Sequence, residues 1–173
     1  EVPDWPWPGG CKRVAAMEPL QGDRVAPREV ELSRAFEQAH EALGAALRAC
    51  LDEPDPRAIA RSLRSFHGAV THQIRIEEEL LFERFEAGSG LREAGPTVLL
   101  RREHREILRR LELLALTLEG GEGGGVGAGL RALIALLDDH RRREEAALFP
   151  ACDRLLDGPA RAGALAELRK RCT

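Results

Sequence analysis

Glycine and proline in this chain gather at a few joints and leave long stretches between them almost free of either. The joints are Pro54 and Pro56, the segment from Gly88 to Pro96, the run GGEGGGVGAG at 120–129, and Gly158-Pro159. Proline breaks a helix from its interior and glycine weakens one, so the chain is confined to helices of about the lengths these joints leave. Between the joints the residues are mainly Leu, Ala, Glu and Arg. There is no Tyr, the five Phe are Phe36, Phe66, Phe82, Phe85 and Phe149, and both Trp (Trp5 and Trp7) stand in the first seven residues. Such a composition opposes a sandwich or barrel, which is built from aromatic and β-branched residues.

The spacing predicts a first helix from Pro27 to about Leu51. A second runs from about Arg57 to Glu86, entered through Asp55 as cap and Pro56 at the first helical position. A third spans Pro96 to Glu119, a fourth 129–157 with a kink expected at Pro150, and a short fifth 159–171. Four long helices with short or flexible joints make an all-α, antiparallel up-down four-helix bundle. The organisation expected is an irregular tail over 1–26, the bundle over 27–157 and a short C-terminal helix over 158–173. Residues 1–16 precede the only methionine, Met17, and stay outside the fold argument.

A net charge of -3 from 26 basic and 29 acidic residues gives no strong field for nucleic acid or an anionic membrane. No apolar run approaches the ~20 residues of a membrane span. The opening EVPDWPWPGG has neither the basic start nor the apolar stretch of a signal peptide. The four cysteines form no C-x-x-C pair, and a 173-residue chain has core enough to do without disulfides. Reduced thiols in a cytoplasm are the expectation. The run Arg141-Arg142-Arg143 reads as a solvated helix face.

The histidines carry the functional signal. His40 falls on the stripe of Phe36, Leu43 and Leu47; His104 lies between Leu100 and Ile107; His140 follows Leu133 and Leu137 and precedes Leu148. All three point inward by the 3.6-residue period, each near the middle of its helix, so a bundle brings them to one depth. Glu144 lies one turn beyond His140 on the same face, and Glu77 lies on the inner stripe of the second helix. A buried carboxylate is costly without a cation or strong donors, and three imidazoles beside it point to a bound metal. In the second helix, ideal phase turns Gln73 inward and His72 away. Ligand chemistry favours His72, which a one-residue π-bulge would rotate into place, so His72 is the expected ligand and Gln73 its alternative. His67 also faces inward but lies too far along the axis from Glu77, and reads as a core or channel residue.

The segment His140-Arg-Arg-Arg-Glu144-Glu145-Ala-Ala-Leu148-Phe149-Pro150 resembles the H-x-x-x-E-E-x-x-L-F-P signature of hemerythrin-like (HHE cation-binding) domains. The segment from His72 to Phe82 is similar to its first copy, with one extra residue between His and Glu, and Glu83 where that family often has Pro. The likeness covers about 30–157. It implies a non-haem di-iron centre held by His40, His72, His104, His140, Glu77 and Glu144, with the two Glu bridging the irons. The departure at His72/Gln73 leaves a single metal open. Glu37, Glu103 and Asp139 are the nearby candidates for bracing the imidazoles from behind.

Such a centre implies binding of O2, NO or a peroxide for carriage, sensing or stress response. The alternative is a di-iron enzyme that decomposes peroxide or reduces NO. A metal-free helical interaction module keeping a relic of the site is the third reading, and the sequence names no protein partner.

Overall fold

The computed structural model describes residues 30–120 and 125–170, and these are helical almost throughout. The predicted start at Pro27, both Trp and the tail over 1–26 lie outside the described residues. Helix α1 is Val30–Ala49 and α2 is Pro56–Ile76. The α2 axis continues through a π-helical segment, Glu77–Phe82, into α3, Glu83–Ser89. Helix α4 is Pro96–Glu119. Helix α5, Val126–Arg143, continues through a second π-helical segment, Glu144–Leu148, into α6, Phe149–Leu155, and α7 is Gly158–Arg169. No helix among the described residues is long and apolar enough to cross a membrane.

The caps are those the sequence announces. Asp55 accepts from the Arg57 N–H at 2.9 Å and Pro56 opens α2, while Asp157 accepts from Ala160 N–H at 2.8 Å ahead of α7. Gly90 ends α3 in the left-handed region at φ 71°, which a side chain would strain. Helix α5 starts three residues earlier than the glycine run suggests. At Gly129 an added Cβ would come within 2.6 Å of Leu114 Cδ2, and the bare backbone lets α5 close on α4. At Pro150 the ring has no N–H to give. The turn before it widens instead, and the Phe149 N–H reaches back to the Glu144 carbonyl.

Helix α1 packs on α2 and α5, and α4 packs on the same two, while α7 lies across α1, α2 and the first π-helical segment. The core falls into two apolar clusters. One holds Leu32, Phe36, Leu81, Phe82, Leu100, Leu148, Phe149 and the α7 residues Ala164 and Leu165. The other holds Leu47, Leu63, Phe66, Val70, Ile107, Leu111, Leu133 and Leu137. Between them runs a polar layer of His40, Gln73, Glu77, His104, His140 and Glu144, all buried. Cys50 and Cys152 are buried free thiols.

Glu86 anchors the connection from α3 to α4. Its buried carboxylate accepts from Thr97 Oγ1 at 2.7 Å and from Arg101, and Arg92 lies at 3.5 Å. Burial alone would raise its pKa, but these partners outweigh that and hold it below the usual carboxylate range. Its stabilising contribution is therefore complete above that range and is lost as pH falls through it toward the lowered folded value. Glu86→Gln should cost about 1–3 kcal/mol in denaturant unfolding near pH 7. The penalty should shrink near pH 3, and an equal penalty at both would refute the assignment.

Candidate metal centre

The two π-helical segments each begin at a buried glutamate. Glu77 and Glu144 come from opposite halves of the chain and meet in the polar layer, Glu144 with no solvent exposure at all. Three imidazoles point their Nε2 atoms at these carboxylates. His40 Nε2 lies 3.5 Å from Glu77 Oε1 and 3.2 Å from Glu144 Oε2. His104 Nε2 lies 3.3 Å from Glu77 Oε2 and 3.8 Å from Glu144 Oε1, and His140 Nε2 lies 3.3 Å from Glu144 Oε2. His104 and His140 bring their own Nε2 atoms within 3.1 Å of each other.

Each ring is braced from behind. Glu78 Oε1 lies 2.7 Å from His104 Nδ1, Glu103 Oε2 lies 3.0 Å from His140 Nδ1, and Glu145 Oε1 lies 3.3 Å from His40 Nδ1. Carboxylates in those positions accept a hydrogen bond from Nδ1–H and leave the Nε2 lone pair facing inward, as metal-ligating histidines require. Arg143 in turn holds Glu103 at 2.6 Å. Phe82 stacks on His104 with centroids 5.5 Å apart, and Phe149 lies 5.4 Å from His40. These rings close one side of the layer with apolar surface.

The donor set fits a cation. One donor atom each from Glu77, His104, His140 and Glu144 lies within 4.8 Å of all the others. Both Glu144 oxygens are buried without a hydrogen-bond partner, a cost that a bound ion removes. Where no cation balances the carboxylates, protons do. Burial pulls the His40 and His104 pKa values down, but the Glu144 and Glu77 carboxylates facing them overcome it and carry them to about 10 and about 11. Glu77 is held well below its usual range by His104 and His40 against the cost of its own burial. Glu144 is also lowered, against its own burial and the nearby Glu77 charge, by His140, His104 and His40.

Five of the six expected ligands meet here, and His72 does not. Its Nε2 donates to the Glu167 carbonyl of α7 at 2.9 Å, on the outer side of α2. Gln73 takes the inner position, its amide donating to Glu77 Oε1 at 2.8 Å. The π-helical widening that would have rotated His72 inward is present, but it begins at Glu77. The helix upstream keeps α phase through Ile76, so the residue four before Glu77 faces in. His67 is half-buried and outside the cluster.

Of the expected braces only Glu103 serves; Glu37 is exposed, and exposed Asp139 pairs with Arg142. Glu78 and Glu145 were missed. Their signal was the doublets Glu77-Glu78 and Glu144-Glu145: one helical step turns the second carboxylate about 100° away from the first, toward a neighbouring helix. The arginine run is also less solvated than expected, since Arg143 supports Glu103 and Arg141 Nη1 donates to the His40 carbonyl at 3.4 Å.

Beside His40 and Gln73 lies a narrow cleft of about 20 Å³, walled by Leu43, Val70, Ile74, Ile107 and Leu137 with Arg141 at its side. Its walls are almost wholly apolar.

The family model for the hemerythrin HHE cation-binding domain matches residues 30–152, and the chain belongs to that family. No curated protein and no solved structure matches the chain significantly.

His72→Ala should leave the metal-to-protein ratio at the wild-type value and cost about 0.5–1.5 kcal/mol of stability through the lost bond to α7. Metal analysis alongside thermal unfolding checks both, and a fall in metal content would restore His72 to the centre.

Proposed function

We propose that this chain is a hemerythrin-like non-haem iron protein that takes up O2, NO or a peroxide at the buried His/Glu centre, for carriage, sensing or stress response. The observation that carries the reading is the pair of buried Glu144 oxygens that make no hydrogen bond, set among three imidazoles whose far nitrogens are all braced by carboxylates. The residues that would hold the iron are His40, Glu77, His104, His140 and Glu144. Family membership supports a cation as the resident group. Mixed imidazole and carboxylate donors favour iron over Mg²⁺ or Ca²⁺, which prefer oxygen alone.

Iron would supply redox activity and coordination positions that five protein ligands leave open to a small molecule. The chain's own contribution is positioning and exclusion. Glu77 and Glu144 supply the negative charge, Glu78, Glu103 and Glu145 fix the rings, and Phe82 and Phe149 keep water from one side. The apolar cleft at His40 and Gln73 suits the approach of a small, weakly polar ligand better than that of an ion.

The fold that this reading requires is an antiparallel up-down four-helix bundle over 27–157, with 158–173 as the short added helix. Its support is the order in which the helices meet the two apolar clusters. Helices α1 and α4 begin in the Phe36 cluster and end in the Leu47 cluster, and the continuous helices over 56–89 and 126–155 run through them in the opposite order. The free thiols of Cys50 and Cys152 suit a reducing cytoplasm.

Anaerobic loading with ferrous iron, followed by metal analysis and thermal unfolding, tests the assignment. The wild-type chain should retain at least one iron and melt higher with it, and NO should then change the visible spectrum in proportion to iron. His140→Ala should lose most of the metal. Wild-type iron content in that variant, or no iron and no change in melting in the wild type, would refute the reading.

A further inference from the structure

The centre has two unlike sides. On one, His104 and His140 stand together, with Glu77 Oε2 and Glu144 Oε2 each within 3.3 Å of an imidazole Nε2. On the other, His40 is the single imidazole, 3.2 Å from that same Glu144 Oε2, and the residue facing it across Glu77 Oε1 is Gln73. The four donors that come within 4.8 Å of one another are Glu77, His104, His140 and Glu144, all from or around the first side.

Gln73 has nothing to offer a cation as it stands. Its NH2 is spent on Glu77 Oε1, and an NH2 group is a donor without a usable lone pair. Turning the amide to present its oxygen would break that bond and set a neutral, weak ligand where an imidazole would have bound strongly. A second ion on this side would therefore rely on His40 and on carboxylate oxygens already shared with the first, while repelled by the first ion's charge.

We propose that the centre holds two divalent cations unequally: a tight position at Glu77, His104, His140 and Glu144, and a weak one at His40, with Gln73 as the residue that sets the difference. The inference rests on the cation-binding reading above and deepens it. A chain built this way carries one ion at low metal concentration and takes up a second only as the metal level rises.

The test is an anaerobic titration of the full chain with ferrous iron, followed by calorimetry and by metal analysis after equilibrium dialysis. The wild type should bind one ion tightly and a second at least ~10–100-fold more weakly, the range that changes around metal ligands produce. Gln73→His should bring both ions into one tight phase. Gln73→Glu, nearly the same shape with a charged oxygen, should tighten the second ion in the same direction and guards against misfolding of the histidine variant. Two ions of equal affinity in the wild type, or a second ion unmoved by both substitutions, would overturn the inequality and leave the cation-binding reading standing. Absence of any binding in the wild type would overturn both.

Discussion

Two carboxylates in one water-free layer set the terms for everything around them. Glu77 and Glu144 are both fully or almost fully buried, and the charge of one works against ionisation of the other. Such a pair is tolerable only when positive charge stands between or beside its members. Three imidazoles, arriving from α1, α4 and α5, occupy the surrounding positions. They can supply that charge as protons or give up the protons to hold a cation. The braces Glu78, Glu103 and Glu145 make sense only in this light, because they fix which nitrogen faces the carboxylates.

The packing answers the same constraint. A polar layer across the middle of a helical domain divides the apolar interior, and each half must be complete in itself. The half beyond Phe36, Phe82 and Phe149 carries four of the five phenylalanines, with α7 folded over it. The other half is mostly aliphatic. His72 and Arg75 on the outer side of α2 both reach Glu167, so a residue absent from the centre helps secure the helix that covers this cluster. Arg101 links layer and surface: it binds Glu86 and lies over the Phe82 ring that stacks on His104.

Much of this was legible in the sequence because helix phase is local. Breakers marked the joints, and the 3.6-residue period put His40, His104, His140, Glu77 and Glu144 on inner faces at one depth. Phase also turned Gln73 inward, as the structure has it, whereas ligand preference favoured His72, which the structure sets against α7. The chain does have the π-helical widening needed to bring His72 inward, but it begins only at Glu77, downstream of that residue. The roles of Glu78, Glu145 and Arg143 depend on which neighbouring helix lies one step around the axis, and that is tertiary information. Residues 126–128 read as loop from the surrounding glycine run, because the burial of Val126 in the Leu47 cluster is likewise invisible until the helices are placed.

A cation in the space between Glu77, His104, His140 and Glu144 is what the two buried carboxylates call for. Diffraction from iron-loaded crystals, recorded on both sides of the iron absorption edge, locates that cation directly. An anomalous peak is expected within bonding distance of these four side chains. Iron-loaded crystals with no peak there, or with iron only at surface carboxylates, would contradict that placement.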